Sequence, residues 1–272
     1  MAGTMTPKLS FATTWINTFN KSCSKLAGLK RLDYCNDIAE GFGWIMEKGG
    51  HKWELKHKQN GATPADWVHK GARADKGSKR CSARGDDARP GRGIDTVDFA
   101  IVVTHGGRAP DVVRERGSWH NKKMVSVFFN VEPCRFCSHK TRFGDGKLKW
   151  LVIDSCYSLE IDEPNGYTPA SIWKDSFYGL HTIFGFTGQT TDAWWVKDRG
   201  TAFAFEIFAD SELAEAWIDS AFSLVCGDRP VAATAGRNLK DVHNRMETER
   251  ISSSFDSIPY KEVNFIEWKW RS

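Results

Sequence analysis

The chain has 272 residues, with 38 Lys and Arg set against 34 Asp and Glu, a net charge of +4. That length accommodates one large α/β domain spanning residues 1–272, and a hydrophobic share of 40% supplies a core and excludes general disorder. The charge is too weak to imply nucleic-acid binding by the whole molecule, and no run approaches the roughly 18 apolar residues of a membrane span.

The elements follow in order. Phe11–Ile16 is apolar and extended and predicts a first strand. Leu26–Lys48 predicts a helix, since Tyr34, Ile38, Phe42 and Ile45 recur every three or four residues until Gly49-Gly50 stops them. Lys52–Lys58 alternates like a half-exposed strand, and Thr63 or Asp66 caps a short helix. From about Lys70 to Gly93 the chain is basic, rich in glycine and poor in apolar residues, which predicts an exposed loop. A solvated loop is the plainer reading; a site for an acidic partner or nucleic acid is the alternative.

Val97–Val103 and Trp150–Ile153 are unbroken apolar runs, the pattern of strands buried on both faces of a parallel sheet. Met124–Val131 between them is β-rich and predicts a hairpin partner. Pro164–Ser171 reads as loop, Ile172–Tyr178 as a short helix, and His181–Phe186 as another buried strand with a structural His181. Thr201–Cys226 reads as helix in two pieces, Pro230–Ala235 as a core strand, and Asn264–Trp270 alternates like a sheet edge. Strands alternating with helices predict a mainly parallel sheet flanked by helices on both faces.

Each central strand ends on a reactive residue. Thr104-His105-Gly106-Gly107 follows the first, and Asp154-Ser155-Cys156 follows the second. Ligands of open α/β sheets bind just beyond the carboxyl ends of the strands. If the strands are neighbours, an imidazole and a thiol meet there, the minimal apparatus for nucleophilic acyl transfer. Gly106 and Gly107 leave room for substrate, and their amides are candidate oxyanion donors. Thr187, Gly188, Gln189 and Asp192 follow a third core strand and predict a groove shaped with Trp194 and Trp195; a helix cap at Asp192 with two packed indoles is the competing reading.

The seven cysteines are scattered and odd in number, so reduced thiols are expected, with Cys156 available as nucleophile. The polar amino terminus lacks the apolar centre of a secretion signal, and the expected location is the cytoplasm. Cys134-x-x-Cys137-x-His139 has the spacing of a metal half-site but lacks a second pair nearby; a hairpin turn with two free thiols is the simpler reading, so no metal or other cofactor is expected. The twelve Trp serve either as core and rim packing or as a groove lining.

An apolar strand ending in His-Gly, followed by one ending in a small residue and Cys, resembles the caspase, legumain, gingipain and metacaspase clan of cysteine peptidases. Asp154-Ser155-Cys156-Tyr157-Ser158 is similar to the metacaspase Asp-Cys/Ser-Cys-His-Ser-Gly, and Leu32-Asp33-Tyr34-Cys35-Asn36-Asp37-Ile38-Ala39 to their Leu-x-Gly-Cys-x-Asn-Asp-Ala. Tyr157 stands where that family carries His, Leu159 where it carries Gly, and Val103-Thr104 where it carries Ser-Gly. The resemblance spans roughly Phe11–Gly188 and extends to an uncharacterised bacterial family with a caspase-like core. It implies a caspase-like fold and a peptide or protein substrate cleaved after Arg or Lys, with Asp154 and Asp37 holding that side chain. A small-molecule acyl-transfer or cyclising enzyme, and a non-catalytic caspase-like binding protein, are the alternatives.

Overall fold

The structure, a computed structural model, describes residues 8–72, 83–109, 112–115 and 118–271. Its centre is a seven-stranded sheet. The strands are β1 (Ser10–Trp15), β2 (Lys52–Lys58), β3 (Phe99–Val103), β9 (Trp150–Asp154), β10 (Thr182–Thr187), β11 (Arg229–Gly236) and β12 (Phe265–Trp270). They lie in the order β12-β11-β10-β9-β3-β1-β2. The five from β2 to β10 run parallel, while β11 and β12 are antiparallel additions. The chain leaves β1 toward β2 and returns to β3 on the other side. The crevice beyond β1 and β3 is therefore the switch point where an open sheet binds ligands.

Period-two alternation splits the apolar runs between two cores. On one face Phe11, Phe99, Ile101, Trp150, Val152 and Phe184 pack beneath α2 (Cys35–Lys48), α4 (Arg199–Phe208) and α5 (Leu213–Ala221). On the other, Ala12, Ala100, Val102, Leu151, Ile153 and Ile183 meet Trp67, Phe129, Phe136, Phe143 and Trp173. Long helices cover only the first face. The second is covered by the five-residue α3 (Pro169–Trp173), connecting segments and a small sheet of β4 (Gly106–Arg108), β7 (Val125–Phe128) and β8 (Arg135–Cys137). Helices thus lie on both faces, as expected, but unequally, with the short α3 on the second. The hairpin β5 (Val112–Glu115) with β6 (Ser118–Asn121) stands apart, and α6 (Leu239–Thr248) packs on β11 and β12.

Two other boundaries differ from expectation. The helix expected from Leu26 is two elements: α1 (Lys21–Ala27) ends at Gly28, whose φ of 65° gives the left-handed cap that glycine adopts without strain, and α2 begins only at Cys35. Met124–Val131 forms the expected hairpin, β7 pairing antiparallel with β8 ahead of β9, and β4 joins it in the small sheet. In the expected basic loop, Ala83 and Asp87 are buried and Arg92 donates to the Asp66 carboxylate at 3.0 and 3.1 Å, while residues 73–82 lie outside the described residues. Among the described residues no helix is long and apolar enough to cross a membrane. His181 is buried between Glu249 and Ser257, in the structural role expected of it.

The cysteines overturn the expectation of reduced thiols. Cys23 on α1 is disulfide-bonded to Cys134, and Cys137 is disulfide-bonded as well. Neither Cys134 nor Cys137 is thus available as a thiolate ligand, which removes the metal half-site. Such links persist in oxidising compartments, so thiol chemistry no longer supports a cytoplasmic location. Cys35, Cys156 and Cys226 are free.

Candidate active site

The carboxyl ends of the parallel strands open into one cavity of about 320 Å³. Val103, Thr104 and His105 reach it from β3, Asp154 and Cys156 from β9, Thr190, Thr191 and Asp192 from β10, and Lys30–Asp33 with Cys35 and Ile38 from the approach to α2. β3 and β9 are adjacent and in parallel register, with Val103 opposite Asp154. His105 and Cys156 are therefore brought to one site, as the sequence predicts.

His105 is held by the backbone around it. Thr104 N donates to Asp154 O at 3.1 Å, Thr104 Oγ1 to Phe128 O at 2.8 Å, and Phe128 N to His105 O at 3.0 Å. The ring packs on Phe19 with centroids 5.3 Å apart, and Nε2 lies 2.9 Å from Lys30 O. A carbonyl only accepts, so Nε2 carries the hydrogen. In the neutral ring Nδ1 is then the basic nitrogen, a tautomer fixed by its surroundings.

Cys156 sits on a tight turn. Tyr157, next along, has φ of 60°, a left-handed conformation uncommon for a residue with a side chain. The turn is tied to β10 by Tyr157 N donating to Gly188 O at 2.6 Å and Leu159 N to Phe186 O at 2.9 Å. Thr190 brackets the sulfur: its N–H donates to Sγ at 3.4 Å, and its carbonyl accepts from the thiol at 3.7 Å. Burial pushes the Cys156 thiol up, the Thr190 N–H opposes this, and the Asp154 and Asp228 charges add to it. The resting group is a thiol, and its activation needs a base.

Gly106 lies hard against this turn. A Cβ there would stand 2.3 Å from Cys156 O and 2.5 Å from Ser155 Oγ. In the β4–β7 ladder, residues 105 and 128 and residues 109 and 124 form bonded pairs. Alternation makes 107 and 126 bonded too, leaving 106 and 127 unbonded. Gly107's amide is consumed by the ladder, which corrects its expected oxyanion role, while Gly106's amide points away from β7. Gly106→Ala will cost about 1–3 kcal/mol through overpacking and slow the alkylation of Cys156. Thermal melts and iodoacetamide kinetics check this, and an unchanged melt would show that the contact yields.

The expected substrate carboxylates are placed unevenly. Asp154 lines the cavity but is buried against Arg199, whose Nε lies 2.7 Å from Asp154 Oδ2, off the line of a well-formed hydrogen bond. Burial raises Asp154 to about 6, Arg199 opposes the rise, and Asp228 and Asp192 add to it. Asp192 also lines the cavity, its carboxylate accepting from Asp33 N at 2.5 Å and Tyr34 N at 3.0 Å. Asp37 is exposed on α2, bonded to Asn36, and does not line the cavity; Asp33 occupies that side instead. Gln189 and Trp194 are exposed and also lie outside the lining; Trp194 packs edge-on against Trp195. Arg199, Asp228 and the Lys30 carbonyl were not found from sequence, since nothing local distinguishes them.

Cys35 is a second thiol in the cavity, kept protonated by burial, with Asp192 and Asp154 adding to the effect. Elsewhere among the described residues, His243, Glu247 and Glu267 bring ligand atoms within 4.8 Å of one another. His243 pairs with Glu267 at 3.0 Å and Lys269 with Glu247 at 3.2 Å, an ordinary surface ion-pair network.

A family model matches residues 13–271. The chain belongs to the family described as Domain of unknown function (DUF6345). The match takes in the whole main sheet after its first residues and every residue lining the cavity. No curated protein matches the chain.

Proposed function

We propose that this member of the family is a caspase-like cysteine hydrolase that cleaves amide bonds through a His105–Cys156 dyad. The observation that carries the reading is the convergence of both side chains on one cavity beyond adjacent parallel strands. The strand-end motifs support the caspase-like assignment. His105 Nδ1 takes the thiol proton, and Cys156 Sγ attacks the amide carbonyl. The oxyanion forms beside the Gly106 amide. On collapse of the tetrahedral adduct the C–N bond breaks, His105 protonates the departing amine, and a thioester remains. Water, deprotonated by His105, then attacks the thioester, releasing the acid and returning the proton to sulfur.

Intact-mass measurement after exposure to peptidyl acyloxymethyl ketones tests this. One adduct on Cys156 is expected, abolished in Cys156→Ala and slowed at least a hundredfold in His105→Ala. Labelling that is indifferent to His105, or an inert Cys156, would overturn the dyad and favour a binding protein. The cavity's modest volume, about 320 Å³, favours a second reading in which the acyl group belongs to a small molecule. Faster turnover of small thioesters than of peptides would select it.

A further inference from the structure

We propose that Arg199 closes the acidic end of the cavity and so restricts the acyl residue of the substrate to an uncharged side chain. The inference rests on the hydrolase reading above and replaces the Arg or Lys preference that the metacaspase resemblance implies.

Arg199 opens α4 and is buried, its side chain 5% exposed. All three guanidinium nitrogens are engaged. Nε lies against Asp154; Nη1 meets Asp228 Oδ2 at 3.2 Å and donates to Thr190 Oγ1 at 3.1 Å; Nη2 donates to Thr191 O at 3.2 Å. Its plane sits over the Phe186 ring at 5.0 Å. The next residue wedges the helix in place, because a Cβ on Gly200 would stand 2.1 Å from Ile38 O. The cation is therefore a fixed part of the wall, occupying the acidic end where a basic substrate side chain would have to go.

The charges lining the cavity balance in number. Lys30, Arg31 and Arg199 line the cavity against Asp33, Asp154 and Asp192. Arg31 pairs with Asp33 at 2.9 Å, and Asp192 is held by two backbone amides. A substrate cation would have to displace Arg199 from its buried partners and leave it uncompensated. A substrate anion at that end would face Asp154 and Asp192. An uncharged side chain meets neither penalty.

Acyloxymethyl ketone probes differing only in the residue at the reactive end (Arg, Lys, Asp, Asn, Ala) decide the matter. On the native chain, the Asn or Ala probe should label Cys156 at least tenfold faster than the Arg, Lys or Asp probes. Arg199→Met combined with Asp228→Asn removes a base and an acid together, and should shift the Arg-to-Asn rate ratio at least tenfold toward Arg. Fastest labelling of the native chain by the Arg or Lys probe would overturn the inference while leaving the dyad standing, as would an unchanged ratio in the folded double variant. If the double variant does not fold, the native-chain rates alone decide. Absence of labelling by every probe overturns the hydrolase reading and this inference with it.

Discussion

Removing the Cys23–Cys134 link by paired Ala substitutions will lower the stability of the fold by roughly 4–5 kcal/mol, because the bond closes a span of 111 residues in the unfolded chain. The effect extends beyond entropy. Asn20 caps α1 by accepting from Cys23 N at 2.8 Å, and it also bonds Asn130 through both its backbone and its side-chain nitrogen. The disulfide and these bonds fix α1 to the segment after β7. The same stretch leads on to Lys30, whose carbonyl accepts from His105. Loosening α1 should therefore release the imidazole as well as destabilise the fold. The double variant is expected to melt well below the parent in non-reducing buffer and to react more slowly at Cys156. Equal melting temperatures would show that the link adds nothing, and unchanged Cys156 kinetics would show that His105 is oriented without α1.

What the sequence displayed was the sheet interior. The apolar runs ending at Val103, Ile153 and Phe186 mark β3, β9 and β10 because strands covered on both faces need no polar alternation. His105 and Cys156 were legible for the same reason: each is the first reactive residue past such a run. The carboxylates were not legible to the same depth. The metacaspase resemblance of residues 32–39 assigns Asp37 to the substrate pocket, but that residue lies on the exposed side of α2, while Asp33, before the helix begins at Cys35, lines the cavity. Arg199 follows a helix boundary with nothing to mark it, and its partners Asp154 and Asp228 come from β9 and from the entry to β11. The base-orienting group is a backbone carbonyl, which has no signature in a sequence. Cysteine spacing likewise carries no information about which thiols pair.

Asp87 should contribute more stability to the fold at pH 5 than at pH 8. Its carboxyl is 2% exposed, and Oδ2 has no hydrogen-bond partner among the described residues. Burial pushes Asp87 up to about 7, with the Asp145 charge adding to the rise. In the unfolded chain the same group ionises near 3.8. Between those values the native state binds more protons than the unfolded state, so stability falls as pH rises through that range. The contribution is complete below about 4 and lost above about 7. Asp154, raised to about 6, acts in the same direction over a narrower interval. Asp87→Asn keeps the shape of the protonated carboxyl and cannot ionise. It should raise stability at both pH values, by on the order of 2–4 kcal/mol at pH 8 and by roughly a third of that at pH 5, where the unfolded carboxyl is already ionised and the native one is not. Urea denaturation at the two pH values measures both. A loss of stability at pH 8 would mean that the ionised carboxylate is used by the fold, and an equal shift at both would assign the effect to packing rather than to the proton.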